Sequence, residues 1–256
     1  MLRVDTPIAM QAFRKQYTDD VGFVPTMGAL HQGHLSLIEA SMAQNAVTIV
    51  SIFVNPTQFD QAADLEKYPN TLEQDLQHLE QLGVDAVFLP TFENMYPDQY
   101  AYQVTEHQLS KQFCGAHRPG HFDGVLSVVM KLLNLVQANR AYFGEKDYQQ
   151  LSLIQGMVKA FFMDTEIIPC PIVREADGLA MSSRNLRLTP IQRKVAPMLY
   201  QALIDQDSDL DEKQQWLSSK GFEVDYLEVM NGRLLAAASL GDIRLIDNVP
   251  YDGGRS

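Results

Sequence analysis

The sequence predicts an α/β protein in which a Rossmann-like parallel sheet carries helices on both faces and a smaller α+β domain follows. Runs of apolar, β-branched residues such as 46–54 are hydrophobic on both faces, as the central strands of a parallel sheet are. Helical segments alternate with such strands up to residue 172, which implies a parallel sheet. The pattern then changes, so we expect two domains, 1–172 and 173–256.

Each element of the first domain follows from the periodicity of its apolar residues. Its strands are short apolar runs, at 21–26, 46–54, 85–90, 140–144 and 165–172. Its helices have apolar residues at helical spacing, at 34–44, 71–82, 123–138 and 147–161. In the second domain we expect a helix near 190–205, a short helix after the acidic stretch 205–213, and strands at 224–230 and 243–247.

The composition restricts the class of protein. With 46% hydrophobic and 20% charged residues, the 256-residue chain is not of the disordered kind and can bury a core. A net charge of −12 argues against nucleic acid or an anionic membrane as a partner. Its two cysteines, Cys114 and Cys170, exclude a disulfide framework and a Cys-rich zinc site. Because no apolar run is long enough to span a bilayer and the N-terminus is unlike a secretory signal, we expect a cytoplasmic protein.

The segment 24–34, VPTMGALHQGH, is the most informative part of the chain. A strand ends there, a glycine-containing loop follows, and a helix begins near His34. This order places backbone N–H groups and the positive end of a helix at the carboxyl edge of the sheet, where anionic ligands bind. Gly28 and Gly33 let the backbone approach a phosphate closely. His31 and His34 can face one anion, and the HxGH pattern resembles the ATP-binding motif of nucleotidyltransferases and class I aminoacyl-tRNA synthetases.

A zinc site is the alternative for these histidines, because His117 and His121 form a second close pair. However, the HxGH segment lacks the glutamate of an HExxH helix, and no thiolate is near in sequence. The pattern therefore favours a nucleotide over a metal.

Two further segments carry cations. In 181–184, MSSR, the hydroxyls can donate to phosphate oxygens, and Arg184 can donate two N–H groups to one phosphate. In 143–150, FGEKDYQQ, a strand ends and a helix begins; Lys146 suits a phosphate, and Asp147 suits a helix cap or a ribose hydroxyl. Alone, the first segment also fits an ordinary Ser-rich turn, and the second an ordinary helix N-terminus.

Neutral amide side chains lie at two of the same strand ends. Asn55 and Gln58, in 53–59 (FVNPTQF), come beside the HxGH loop if the crossover is right-handed. Gln150 lies one helical turn after Lys146. Amides recognise hydroxyl and carboxylate oxygens without adding charge. Alone, the Asn-Pro segment also fits a plain strand-ending turn.

Taken together, these segments resemble the pantothenate synthetase (pantoate–β-alanine ligase) family. The matching motifs run in family order over about residues 21–248: FVPTMGALHQGH, FVNPTQF, RPGHF, AYFGEKDYQQL, CPIVREADGLAMSSRN, YLEV and RLIDN. The resemblance implies that ATP and pantoate form pantoyl adenylate and pyrophosphate, after which the amine of β-alanine displaces AMP to give pantothenate. It also implies Mg²⁺, a cytoplasmic homodimer and a role in coenzyme A supply.

The resemblance also implies roles for individual residues. His34 is expected to act as proton donor with His31 as its partner, and Lys146 and Arg184 to supply charge. Pantoate is expected at Gln58 and Gln150, β-alanine at Gln58, with Asn55 close by, and a metal contact at Asp75. The residues expected to hold ATP are Met27, Gly28, Ala29, Leu30, His31, Gln32, Gly33, His34, Gly144, Glu145, Lys146, Asp147, Val173, Met181, Ser182, Ser183 and Arg184.

Three features depart from the family pattern. Arg187 stands where the family has an aromatic residue, and Asn70 where it has an arginine. The region after residue 205 is shorter than expected for the family, and 231–240 looks compressed. These differences bear on how much of the substrates the second domain covers as a lid.

Two other functions stay open from the residues alone. One is a nucleotidyltransferase that acts on a different acid or phosphate; Gln58 and Gln150 favour a small hydroxy acid, since a phosphorylated substrate would call for more Arg or Lys. The other is a catalytically silent nucleotide sensor, although both histidines and both cations are present. A class I synthetase is disfavoured by the chain length and by the charge of −12, because tRNA binding needs a basic face.

Overall fold

The computed structural model describes residues 1–18 and 20–253. The chain divides into two compact units. The first comprises residues 1–145 and 149–170, and the second comprises 146–148 together with the chain from residue 171 onward. The three-residue segment 146–148 thus groups with the second unit although the chain on both sides of it belongs to the first.

The first unit contains a six-stranded sheet in the order β1-β4-β3-β2-β5-β6, with every neighbouring pair parallel. Its strands are β1 (Leu2–Val4), β2 (Val21–Thr26), β3 (Val47–Ile52), β4 (Ala86–Phe88), β5 (Arg140–Gly144) and β6 (Glu166–Cys170). The sheet confirms the predicted Rossmann-like α/β class. After β2 the chain adds β3 and β4 on one side and then returns to add β5 and β6 on the other. The strand order therefore reverses between β2 and β5, and a crevice at such a switch point is where open α/β sheets bind ligands.

The helices that surround this sheet are mostly those predicted, at slightly different bounds. They are α1 (Pro7–Arg14), α2 (Gln32–Gln44), α3 (Ala62–Glu66), α4 (Leu72–Leu82), α5 (Phe92–Met95), α6 (Cys114–His117), α7 (His121–Val136) and α8 (Tyr148–Ala160). The sequence analysis did not predict β1, α1, α3, α5 or α6. Most of these are too short to show a clear hydrophobic period. Among all the described helices, none is long and apolar enough to cross a membrane.

The second unit contains three helices and a three-stranded antiparallel sheet. Its elements are α9 (Pro190–Val195), α10 (Met198–Ile204), α11 (Leu210–Ser219), β7 (Glu223–Met230), β8 (Arg233–Leu240) and β9 (Ile243–Pro250). The predicted helix near 190–205 is two helices, because Pro197 lacks the N–H that would continue the first one. Its core is formed by the apolar faces of α10, α11 and the sheet, including Leu199, Leu217 and Leu234.

The sequence analysis predicted no strand within 231–240, which contains β8, the central strand of this sheet. Asn231 and Gly232 both have positive φ, 49° and 72°, which is typical of the tight turn of a hairpin. β8 pairs with β7 on one side and with β9 on the other, and its small residues Ala236 and Ala238 are buried in the core of this unit.

Candidate functional site

The loop after β2 has a strained backbone that is held from behind by one carboxylate. Gly28 and Ala29 have positive φ, 79° and 50°, and such a conformation costs a residue with a Cβ about 1–2 kcal/mol. The buried carboxylate of Asp75, on α4, accepts a hydrogen bond from the N–H of Ala29 at 2.9 Å and another from the N–H of Leu30 at 2.8 Å. Thr71 donates a third, at 3.0 Å. Asp75 thus fixes the loop that leads into α2.

This geometry gives Asp75 a role other than the metal contact expected from the sequence. Its two carboxylate oxygens already accept three hydrogen bonds from the protein. Within residues 1–18 and 20–253, no group of three or more His, Cys, Asp or Glu side chains is placed to hold a metal ion. The role of Asp75 toward a metal stays a prediction.

The two histidines of HxGH form the N-terminal cap of α2. His31 is the N-cap residue: its Nδ1 accepts the N–H of Gly33 at 3.1 Å, while Nδ1 of His34 accepts the N–H of His31 at 3.4 Å. This is the reciprocal arrangement of a capping box, with histidines in both positions. It explains why α2 begins at Gln32 rather than near His34. The ring centroids are 4.1 Å apart.

The cap also determines which ring nitrogen carries the proton. An imidazole nitrogen that accepts a hydrogen bond has no hydrogen of its own, so each neutral ring is protonated on Nε2. His31 and His34 are therefore both oriented as Nε2–H donors at the positive end of α2. A pair of donors at a helix N-terminus is suited to charge that develops on a phosphoryl group.

A second cluster of the first unit fixes Gln58. Asn55, which is 1% exposed, donates its amide N–H to Oε1 of Gln58 at 3.2 Å and to the carbonyl of Gly124 at 3.2 Å. Its Oδ1 accepts the hydroxyl of Tyr96 at 3.0 Å, and Nε2 of Gln58 donates to the sulfur of Met27 at 3.1 Å. Burial raises the pKa of Tyr96 to about 12, so its hydroxyl stays a donor. Both polar atoms of Asn55 thus serve the protein, and its substrate contact stays a prediction.

The helix α7 is fitted against the turn that carries Gln58. A Cβ on Gly124 would stand 2.3 Å from the carbonyl oxygen of Thr57, so only glycine allows this approach. The ring of His121 bonds to the carbonyl of Gln58 through Nδ1 at 2.7 Å and to the guanidinium of Arg118 through Nε2 at 3.1 Å. Because a guanidinium only donates, Nε2 accepts and Nδ1 carries the hydrogen. His121 is therefore bound at both nitrogens, which does not fit the zinc alternative.

At the carboxyl end of β5, adjacent glutamines differ in role. Gln149 is buried; its Oε1 accepts the N–H of Cys114 at 2.9 Å, and its Nε2 donates to the carbonyl groups of Leu109 and Gln112 at 2.8 and 2.7 Å. It fixes the segment before α7. Gln150 is half-buried, and its role in substrate binding stays a prediction.

The second unit contains the segment MSSR in a defined turn. The N–H of Met181 donates to the carbonyl of Val173 at 3.0 Å, and Oγ of Ser182 accepts the N–H of Arg184 at 3.3 Å. Ser182 thereby caps the single turn Ser183–Arg187. Lys146 and Asp147 belong to the same unit and lie 3.7 Å apart, from Nζ to Oδ2.

The structure shows the surroundings of the two residues that depart from the family pattern. Arg187 forms an ion pair with Asp242 at 3.5 Å, within the second unit, and Asn70 is exposed just before α4. A Cβ at Gly144, where β5 ends, would meet no described heavy atom within 4 Å.

The structure thus divides the predicted site residues between two sets. The first unit contains Met27–His34, Asn55, Gln58, Asp75, Gly144, Glu145 and Gln150, and the second contains Lys146, Asp147, Val173 and Met181–Arg184. Sequence reasoning did not assign roles to Tyr96, His121, Arg174, Asp247 or Asn248. The motifs RPGHF and RLIDN include His121 and the pair Asp247 and Asn248, whereas no motif includes Tyr96.

Comparisons of the sequence and of the structure with known proteins identify the same family. A family model described as Pantoate-beta-alanine ligase matches residues 4–250. The pantothenate synthetase of Bdellovibrio bacteriovorus is 56% identical over 244 residues, which are 95% of this chain and 97% of that protein. The pantothenate synthetase of Coxiella burnetii is 52% identical over 242 residues, 94% of this chain and 93% of its own. The crystal structure of a pantoate-β-alanine ligase from Francisella tularensis, complexed with beta-gamma ATP and β-alanine, has a TM-score of 0.94 at 43% identity and covers 100% of both chains.

Proposed function

Because the chain belongs to the pantoate-β-alanine ligase family, it is an enzyme that joins pantoate to β-alanine, and we propose that it uses ATP and passes through a pantoyl adenylate. The resemblance predicted from the motifs is confirmed at the level of family and ligation. The route, the ATP contacts and the roles of single residues are inferred from the geometry of each unit.

The proposed reaction has two balanced steps. A carboxylate oxygen of pantoate forms a bond to the α-phosphorus of ATP, and the bond from that phosphorus to the pyrophosphate oxygen breaks. The amine of β-alanine then forms the amide bond at the acyl carbon; the acyl–oxygen bond breaks, AMP leaves with the electron pair, and the amine loses a proton. Since pantoate is already an anion, the first step needs positioning and charge stabilisation rather than a strong base.

The single observation that carries the proposal is the pair of histidines at the start of α2. Both rings are fixed as Nε2–H donors by the capping box, with their centroids 4.1 Å apart. We assign His34 as the proton donor to the phosphoryl oxygens and His31 as its partner. Asp75 keeps the preceding loop in its strained conformation, so that these donors are in place before the substrate arrives.

Cations and hydroxyl groups of the second unit are proposed as nucleotide contacts. Lys146 and Arg184 supply positive charge for the phosphates, and the serines of MSSR supply hydroxyl donors. In the loop before α2, the N–H groups of Gly28, Ala29 and Leu30 already bond to protein oxygens. The loop is therefore proposed to contact the nucleotide through its shape and its side chains rather than through these three N–H groups.

Pantoate is proposed to bind through amides. Gln58 is held by Asn55 and by Met27, so its orientation is set without a charged partner. A neutral donor and acceptor suits a hydroxy acid that must approach an anionic phosphate, because a cation at that point would pair with either anion. Gln150 is the second proposed pantoate contact, and Gln58 also serves β-alanine.

Mg²⁺, the homodimer and the cytoplasmic location stay proposals that rest on the family. The described residues contain no group of side chains that would form a cage for Mg²⁺ by themselves. Mg²⁺ commonly binds through substrate phosphates and water, and a complex with ATP would need few protein ligands. The assignment of 1–172 to ATP and pantoate, and of 173–256 to a lid, likewise stays a prediction.

Exchange of labelled pyrophosphate into ATP tests the proposal. The enzyme is incubated with Mg²⁺, ATP and labelled pyrophosphate, with and without pantoate, and without β-alanine. Exchange that requires pantoate is expected, since only a reversible adenylate step returns label to ATP. ATP binding without pantoate-dependent exchange would contradict the adenylate route and point to another acceptor acid or to a nucleotide sensor.

A further inference from the structure

The motif RLIDN, within β9, has no role in the reaction described above, yet Asn248 bonds to the turn of Lys146 and Asp247 to Arg174, in the hairpin that leads to MSSR. We propose that Asp247 and Asn248 are positioning residues for the nucleotide contacts: Asn248 fixes the turn of Lys146, and Asp247 fixes the hairpin that leads to Arg184. The inference rests on the proposed function, which gives Lys146 and Arg184 their contact with ATP.

Asn248 is held in one orientation. Its side chain is 1% exposed, and its Oδ1 accepts Nε–H of Arg233 at 2.6 Å. An arginine only donates, so the amide oxygen must face it and the amide nitrogen must face the other way. That nitrogen donates to the backbone carbonyl of Lys146 at 3.1 Å. The guanidinium of Arg233 also lies over the ring of Tyr148, 5.0 Å from its centroid, so the turn is held at two points.

Asp247 forms a two-pronged ion pair with Arg174. The distances from Nη1 to Oδ2 and from Nη2 to Oδ1 are 2.6 and 2.9 Å, and Asp247 is 4% exposed. Its Oδ1 also accepts the N–H of Asn248 at 2.7 Å, which ties the two residues together. Burial raises the pKa of Asp247, while Arg174 and, more weakly, Lys146 oppose that rise. A buried carboxylate in this setting depends on its partner, so the pair holds Arg174 firmly.

Arg174 in turn closes the hairpin 174–180. Its guanidinium lies 3.8 Å from the ring centroid of Tyr200 and donates to the carbonyl of Gly178 at 3.0 Å. Gly178 has a φ of 93°, and a Cβ there would stand 2.5 Å from that ring, so the hairpin fits this surface only with glycine. Across the hairpin Arg174 is paired with Ala180, the residue before MSSR.

Two segments distant in sequence are therefore fixed on consecutive residues of one strand. Small displacements of positioning groups are costly in catalysis, since a shift of about 1 Å can lower a rate by about a hundred-fold. Neither Asp247 nor Asn248 is proposed to contact substrate; each acts through a cation or the loop that carries it.

Double-mutant cycles on the full chain test this, with the Kd of ATP from titration calorimetry as the measured quantity. The cycles combine Asn248→Ala with Lys146→Ala, and Asp247→Asn with Arg184→Ala. We expect each of the Asn248 and Asp247 substitutions to weaken ATP binding about ten-fold alone, and less than two-fold when its cation is already absent. In steady-state kinetics the KM for pantoate should change less than two-fold, because the cluster around Gln58 belongs to the other unit.

A matched control lies in the same sheet. Asp225→Asn breaks the 2.6 Å ion pair between Asp225 and Arg244 without touching either positioning residue, and it should leave the Kd of ATP unchanged. Urea unfolding of every variant checks the fold. If Asn248→Ala does not fold, Asn248→Asp replaces it, because aspartate keeps the acceptor for Arg233 and loses the donor to Lys146, while the guanidinium of Arg233 faces the added charge.

Multiplicative losses in both cycles, or a Kd within two-fold of the parent enzyme for the single variants, would overturn the inference. Failure of the proposed function is a separate result: the parent enzyme would bind ATP but show no pantoate-dependent pyrophosphate exchange. The cycles read ATP binding alone, so they still decide the positioning role in that case.

Discussion

Replacing Asp75 by asparagine tests how the loop before α2 is held. Asparagine has nearly the same shape but only one acceptor oxygen, whereas Asp75 uses one oxygen for Leu30 and the other for Ala29 and Thr71. Whichever way the amide turns, its NH₂ faces one of the two backbone N–H groups. A buried N–H without a partner costs about 1–3 kcal/mol, so we expect Asp75→Asn to lower the free energy of unfolding by about 2 kcal/mol.

The assay combines urea unfolding, in EDTA, with pantoate-dependent pyrophosphate exchange, in Mg²⁺. Because the strained loop carries the histidines, we expect exchange to fall at least about ten-fold. Glu73→Gln is the matched control: it makes the same chemical change in the first turn of α4, at an exposed position, and should alter the free energy of unfolding by no more than about 0.5 kcal/mol.

Measuring the free energy of unfolding without metal distinguishes two roles of Asp75, holding the loop before α2 and binding a metal. A residue that acted only through Mg²⁺ would leave unfolding in EDTA unchanged, and excess Mg²⁺ would restore its exchange. If Asp75→Asn matched Glu73→Gln in EDTA and recovered exchange with added Mg²⁺, the anchoring role argued from the three hydrogen bonds would be refuted.

Three further predictions follow from the geometry. Tyr96→Phe removes the donor to Asn55 and should raise the KM for pantoate several-fold while leaving that for ATP unchanged; equal rises in the two KM values would contradict the link to Gln58. Gly178→Ala places a Cβ 2.5 Å from an aromatic ring at a φ of 93° and should lower the free energy of unfolding by about 1–3 kcal/mol, whereas Gly156→Ala, in open space on α8, should not lower it. Burial would raise the pKa of Glu106, but the N–H groups of the following turn outweigh it and lower that pKa. A lowered pKa stabilises the fold above the ordinary value of 4.5 and loses that contribution as pH falls, so Glu106→Gln should flatten the acid side of a stability–pH curve measured by urea unfolding.

The sheet of the first unit could be predicted because its strands are apolar on both faces, a pattern that few other elements share. The strand β8 escaped prediction for the opposite reason. Its central alanines have a low preference for strands, and they are buried only because the fold pairs β8 with β7 and β9 and places Ala236 and Ala238 in the core of the second unit. The turn at Asn231 and Gly232 was the available signal, since Asn-Gly between apolar runs is typical of a hairpin.

In the candidate site, too, some residues could be predicted from the sequence and others could not. Spacing and residue type were enough to identify His31 and His34 as a pair. The residues that hold them and their neighbours were not identified, because Asp75, Tyr96 and Asn248 come from segments distant in sequence. Their contacts are with backbone carbonyls, N–H groups and buried amides, and periodicity does not reveal which of these the fold brings together.

The capping box of α2 changes how substitutions in HxGH are to be interpreted. Alanine at His34 deletes an imidazole and one half of a helix cap, so a drop in turnover would mix lost chemistry with a frayed first turn. Glutamine is a common residue at that position of a capping box, and asparagine is a good N-cap. His34→Gln and His31→Asn therefore remove the ring while sparing the helix, and comparison with the alanine variants separates the reaction chemistry of these histidines from their part in folding.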